Sequence, residues 1–115
     1  MDHKKLDAWK LSMDLVEKIY KISSGFPNSE LYGLTSQIRR SAVSVPSNIA
    51  EGAARDSNKE YRRFLNISIG SLSELETQTL IAERLNYISE ANMILDDITK
   101  LRKIIIGLKK YLNKN

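Results

Sequence analysis

Apolar residues recur along this chain at steps of three and four, which is the period of a helix face and not of a strand. Leu6, Trp9, Met13, Val16 and Tyr20 form one apolar seam, with Leu11, Leu15, Ile19 and Ile22 as a second stripe beside it. Together they predict a helix over about residues 6–23, stopped by the glycine and proline of Ser24–Asn28. A second helix is predicted over about 29–55 along Leu31, Leu34, Ile38, Ala42, Val45, Ile49 and Ala53. Ser57 then offers an N-cap with Glu60 three residues on, a capping box. It opens a third helix to about Asn86 along Tyr61, Leu65, Ser68, Leu72, Leu75 and Thr79. The fourth, from near Ser89, has the most regular seam: Ile94, Ile98, Leu101, Ile105, Leu108 and Leu112. Such a seam packs in the manner of a coiled coil.

Pro46 lies inside the second helix, where it removes a backbone donor and crowds the carbonyl four residues back. The apolar phase continues through it, so a kinked but continuous helix is expected. Short connections make successive helices antiparallel neighbours. The expected fold is therefore all-α: one domain over residues 1–115, an antiparallel up-down-up-down four-helix bundle kinked at Pro46.

Two further rows are not needed by such a bundle. Gln37, Ser41, Ser44, Asn48, Glu51 and Arg55 share one face of the second helix, and Asn66, Gly70, Ser73 and Thr77 share one face of the third. A glycine inside a helix costs about 1 kcal/mol relative to alanine, so Gly70 suggests close approach of another backbone. The rows are expected to meet, within the bundle or between copies, with Arg39, Arg40, Glu51, Glu74 and Glu76 as an ionic network. The candidate structural or interface set is thus Gln37, Arg39, Arg40, Ser44, Asn48, Glu51, Gly70, Glu74 and Glu76. Ile67, Ile69, Leu80, Ile81, Ile104 and Ile106 lie off the main seams. One core cannot bury helices that are apolar on two sides, and self-association is the simplest remedy.

Composition narrows the chemistry. There is no cysteine, so disulfides, thiolate nucleophiles and thiolate metal sites are excluded. The one histidine, His3, falls in a terminus expected to fray, and no Glu-x-x-His pair exists to hold a di-iron centre. Glu74 and Glu76 are two apart and point about 200° from each other around a helix. There is no glycine-rich phosphate loop, and no base at motif spacing activates a serine. These features favour a non-enzyme without cofactor, metal or small-molecule substrate. No apolar run exceeds three residues, Ile104–Ile106 among them, which is far short of a membrane span, and the N-terminus lacks a signal-peptide core. A cytoplasmic location without membrane association is the default expectation.

The net charge of +4 is unevenly placed: residues 89–115 hold six basic and three acidic side chains. Lys100, Arg102, Lys103, Lys109, Lys110 and Lys114 follow the last acidic residue. They complement the dipole at a helix C-terminus and also form a candidate nucleic-acid surface. Arg55, Lys59, Arg62 and Arg63 make a second basic group around the turn between the second and third helices.

The segment Gln37–Gly52, QIRRSAVSVPSNIAEG, is the most distinctive part of the chain. With Leu34, Phe64-Leu65, Gly70-Ser71-Leu72, Glu74-Leu75-Glu76 and Trp9, it makes the chain resemble the 23S rRNA intervening-sequence proteins over nearly its whole length. These are small four-helix bundles that assemble as ring-shaped homopentamers, some of them encoded within insertions in ribosomal RNA genes. The resemblance implies a homo-oligomer, specifically a pentamer, with RNA or a ribonucleoprotein as the expected partner. A more distant branch resembles the accessory variability protein of diversity-generating retroelements, a basic pentamer that engages reverse transcriptase and nucleic acid. The SVPSNIAEG signature belongs to the first branch. A structural adaptor that binds a protein and ignores nucleic acid is the alternative expectation.

Overall fold

The computed structural model describes residues 2–114. A 3₁₀ turn, His3–Lys5, precedes α1 (Asp7–Ser23). Another, Asn28–Glu30, leads to α2 (Leu34–Ala53), followed by α3 (Asn58–Arg84) and α4 (Asn92–Lys114). The contacting helix pairs are α1–α2, α2–α3, α3–α4 and α4–α1, which closes a four-helix bundle of 46 × 24 × 20 Å. Bonds across α2 and α3 tie Val45 to Ser68 and Ser44 to Ser71, so residue number rises on one helix as it falls on the other. These two helices are antiparallel. All the expected seam residues of α3 are buried, as are those of α2 from Leu34 onward. In α4 the seam is buried except Leu108, which packs against the core while partly exposed.

Helix α2 runs unbroken through Pro46. Its contact with α3 is the most extensive in the bundle because small side chains line it. At Gly52 an added Cβ would lie 2.9 Å from the Phe64 Cβ and 3.2 Å from the Tyr61 carbonyl oxygen. The hydroxyls buried here are satisfied: Ser68 Oγ donates to the Val45 carbonyl at 2.9 Å, and Thr79 Oγ1 to that of Leu75 at 2.7 Å.

Four expectations need correcting. The core face of α1 is Ala8, Ser12, Leu15, Ile19 and Ser23, and Met13 and Tyr20 of the first seam are exposed. Ser12 and Ser23 can be buried because each hydroxyl bonds the carbonyl three residues back. Helix α2 starts at Leu34 instead of 29, which leaves Leu31 exposed. Glu30 caps the later start: its Oε1 accepts from the Leu34 N–H at 3.2 Å and its Oε2 from the Tyr87 hydroxyl at 2.9 Å. Helix α3 ends in a Schellman turn with Asn86 at φ 62°, Tyr87 N–H reaching the Ala82 carbonyl, so α4 begins at Asn92 and not at Ser89. His3 is not frayed; it is half-buried with its ring edge-on to Trp9 at 5.3 Å.

Candidate nucleic-acid interface

Antiparallel packing brings the end of α4, with Lys109, Lys110 and Lys114, to the same end of the bundle as Arg55, Lys59, Arg62 and Arg63. Lys100, Arg102 and Lys103 lie further back along α4, Arg102 beside Glu76 of α3. Arg62 Nη1 and Asn58 Nδ2, near the start of α3, both donate to the Leu112 carbonyl in the last turn of α4, each at 3.3 Å. Residues separated by fifty positions in the chain are thus neighbours. Along α4, Lys100, Lys103, Lys110 and Lys114 step by three, seven and four and so share one exposed ridge. Gly107 leaves that ridge flat at its middle. Lys59 and these four lysines make no ion pair among the described residues.

The remaining basic candidates are engaged or turned away. Arg55 pairs with Glu51 at 3.3 Å and lies over the Phe64 ring at 4.8 Å. Arg63 pairs with Glu60 at 3.4 Å and flanks the same ring at 5.7 Å. Arg102 reaches across to Glu76 of α3 at 3.2 Å, and Lys109 is half-buried on the opposite side of α4 from the ridge. Arg62 is spent on the α4 terminus. Lys59, Glu60, Arg62, Arg63, Asn66 and Ile67 line an open hollow of about 620 Å³ at this end. The exposed pairs are worth under about 1 kcal/mol each, so they do not lock these arginines out of an interface.

The polar rows divide between inside and outside. Ser44 Oγ meets Ser71 Oγ at 2.7 Å, and Asn48 Nδ2 donates to both the Ser44 carbonyl and its hydroxyl. Ser41 is buried, while Gln37, Glu51 and Arg55 are exposed. In α3, by contrast, Asn66, Gly70, Ser73 and Thr77 are all exposed, on the side opposite the core face. A Cβ at Gly70 would meet nothing within 4 Å, so no backbone of this chain approaches it. The close approach expected at Gly70 occurs instead at Gly52.

The expected ionic network is likewise not assembled within the chain. Arg39 is drawn to the end of α1, where Nε donates to Ser23 Oγ at 2.8 Å and the guanidinium lies 4.6 Å over the Tyr20 ring. Glu51 and Glu76 pair elsewhere, and Arg40 and Glu74 make no ion pair among the described residues. Arg40, Ser44, Ser71, Glu74 and Gln78 line a polar groove of about 330 Å³ between α2 and α3. Gln78 Oε1 is a buried polar atom with no hydrogen-bond partner. Such atoms are rare in folded proteins.

Of the off-seam apolar residues, Ile69 and Ile104 fold partly against the core. Ile67, Leu80, Ile81 and Ile106 remain exposed, the first three beside the outward row of small residues on α3. No helix of the described residues is long and apolar enough to cross a membrane, and no group of three or more His, Asp or Glu among them is placed to hold a metal ion. Two exposed tyrosines carry no signal of their place in the helical period: Tyr32 sits in the turn before α2, and Tyr20 lies on the outer seam of α1. The second stripe of α1 competes with that seam for the interior.

Comparison with known proteins agrees with the four-helix fold. No curated protein matches this chain. A solved structure, a protein of unknown function from the S23 ribosomal protein family of Bacteroides thetaiotaomicron, superposes with a TM-score of 0.79 at 25% identity, covering 90% of this chain and 98% of that one. The family model described as 23S rRNA-intervening sequence protein matches residues 4–107, including both helices of the SVPSNIAEG-bearing contact and, of the basic ridge, Lys100 and Lys103. The chain belongs to the 23S rRNA-intervening sequence protein family.

Proposed function

We propose that this protein is a non-catalytic, self-assembling bundle that binds RNA through the basic end where α4 finishes beside the start of α3. The observation that carries the reading is the meeting of the last turns of α4, which bear Lys110 and Lys114, with the start of α3, which bears Lys59, none of these lysines paired with a carboxylate among the described residues. Multiple copies would gather several such ends and multiply the field that attracts a polyanion. Self-assembly is supported by the outward face of α3, where Ile67, Leu80 and Ile81 border Gly70 and Thr77 with nothing of this chain upon them. The unpaired Glu74 and Gln78 Oε1 beside that face also lack partners in one chain. The family resemblance makes a pentamer the expected assembly.

Titrating a labelled RNA of about 20 nucleotides across a salt series tests the binding half. Affinity should fall linearly on a log–log plot against salt, and Lys103→Ala with Lys110→Ala should shallow the slope by about one per lysine. Affinity absent at low salt, or indifferent to salt, would overturn it. Light scattering tests assembly: the native chain should run as a multiple of its mass, and Ile81→Glu should lower that mass. A single-chain mass for the native protein ends the assembly reading. The second reading, an adaptor for another protein, is favoured by the same apolar α3 face; it predicts a stoichiometric foreign partner on that face and no salt-dependent RNA affinity.

A further inference from the structure

At the other end of the bundle, where α1 stops and α2 begins, an open groove of about 500 Å³ is lined by Tyr20, Tyr32, Ser36, Arg39 and Arg40 together with the apolar Leu31 and Val43. No carboxylate lines it. The Arg39 guanidinium lies over the Tyr20 ring, its Cζ 4.6 Å from the centroid, and is tethered by bonds to Ser23 Oγ at 2.8 Å and the Tyr20 carbonyl at 3.4 Å, a cationic platform. Arg40, one residue on, is exposed and has no hydrogen bond or ion pair among the described residues. Tyr32 stands 93% exposed, so neither the core nor a neighbouring ring accounts for its place.

We propose that this groove receives an unpaired nucleotide of RNA, its base stacked on Tyr32 and its phosphate held by Arg40 against the Arg39 platform. The proposal rests on the reading that the chain binds RNA, and adds to it a second contact selective for single strands. Two guanidiniums without a carboxylate suit an anion, and exposed aromatic faces suit any base, since stacking is tolerant of sequence. Base pairs inside a duplex offer no free face for Tyr32, so discrimination against duplex follows. A peptide without carboxylates would leave the two adjacent guanidiniums unmatched, and a second copy of the chain would have to bring one, which a change of mass in light scattering reports.

The test measures binding of a labelled oligouridylate of about a dozen nucleotides and of a duplex of the same length, by anisotropy over a salt series. Native protein should prefer the single strand. Tyr32→Ala should weaken single-strand binding by about tenfold while leaving duplex binding and the salt slope unchanged. Arg40→Gln should shallow the slope by about one. Neither side chain supports the fold, and unchanged melting curves would verify that. Both variants binding like the native chain, while Lys103→Ala with Lys110→Ala shallows the salt slope, would overturn the groove and leave the RNA reading standing. No binding by native protein would overturn both. A change of mass in light scattering for Tyr32→Ala would assign the groove to a second copy and likewise overturn the proposal.

Discussion

Gly70 sits in the interior of α3, where it carries an intrinsic cost of about 1 kcal/mol against alanine, and Gly52 in the last turn of α2. Their surroundings are opposite. A Cβ at Gly52 would come within 3.0 Å of the Tyr61 Cδ1 as well as Phe64, and the neighbouring Tyr61 carbonyl cannot move without moving α3. Gly52→Ala should therefore destabilise by about 2 kcal/mol despite its better helix propensity, as overpacked contacts do; chemical denaturation reads the difference. At Gly70 the space around the Cβ is open, so in an isolated chain Gly70→Ala should add up to about 1 kcal/mol. If another copy's helix rests there, the same substitution should lower the assembled mass instead, and denaturation with light scattering on one sample separates the outcomes. Spacing alone marked Gly70 as the tight position because it lay in a row of small residues. Only the packing of α3 against α2 shows that this row faces outward.

At the level of elements, α3 and α4 were legible because every core position is marked by an apolar side chain or by a hydroxyl that continues the seam. In α1 two of five core positions are serines whose hydroxyls bond their own helix, so the apolar letters alone pointed about a quarter-turn away. The start of α2 was missed for a related reason: its first backbone donor is satisfied by Glu30 from the preceding turn, a link no N-cap pattern announces. The end of α4 illustrates how one residue serves two elements. Arg62 and Asn58 share the Leu112 carbonyl, so Arg62→Ala should loosen the last turn of α4 by about 1 kcal/mol, seen as faster amide exchange beyond Leu108. A binding loss in that variant would mix fraying with lost charge. The lysine ridge, which supports no other group, is the cleaner probe.

Across the whole molecule, the candidate basic end was only half legible. Each charge cluster was visible in sequence, but their meeting depends on α3 and α4 running antiparallel for most of the 46 Å length. The opposite end is fastened by groups equally far apart in the chain: Glu30 accepts the Tyr87 hydroxyl, and the Tyr87 ring lies 5.6 Å from that of Phe26. The bond to Glu30, with burial and the carboxylate's charge behind it, raises the Tyr87 pKa above its ordinary 10.0. Burial alone raises that of Tyr61 in the α2–α3 contact. Each group holds its proton more tightly folded than unfolded, so its stabilising contribution is complete below pH 10.0 and is lost as pH climbs through the raised folded value. Thermal melting between about pH 8 and 11 should therefore show Tm falling on the alkaline side. Tyr87→Phe should lower Tm at pH 8, through loss of the bond to Glu30, and flatten the alkaline decline, since one of the two protons no longer exists to be released. A decline equally steep in Tyr87→Phe would mean that the fastening between the α2 cap and the α3–α4 turn is not what alkali breaks, and would leave Tyr61 as the group responsible.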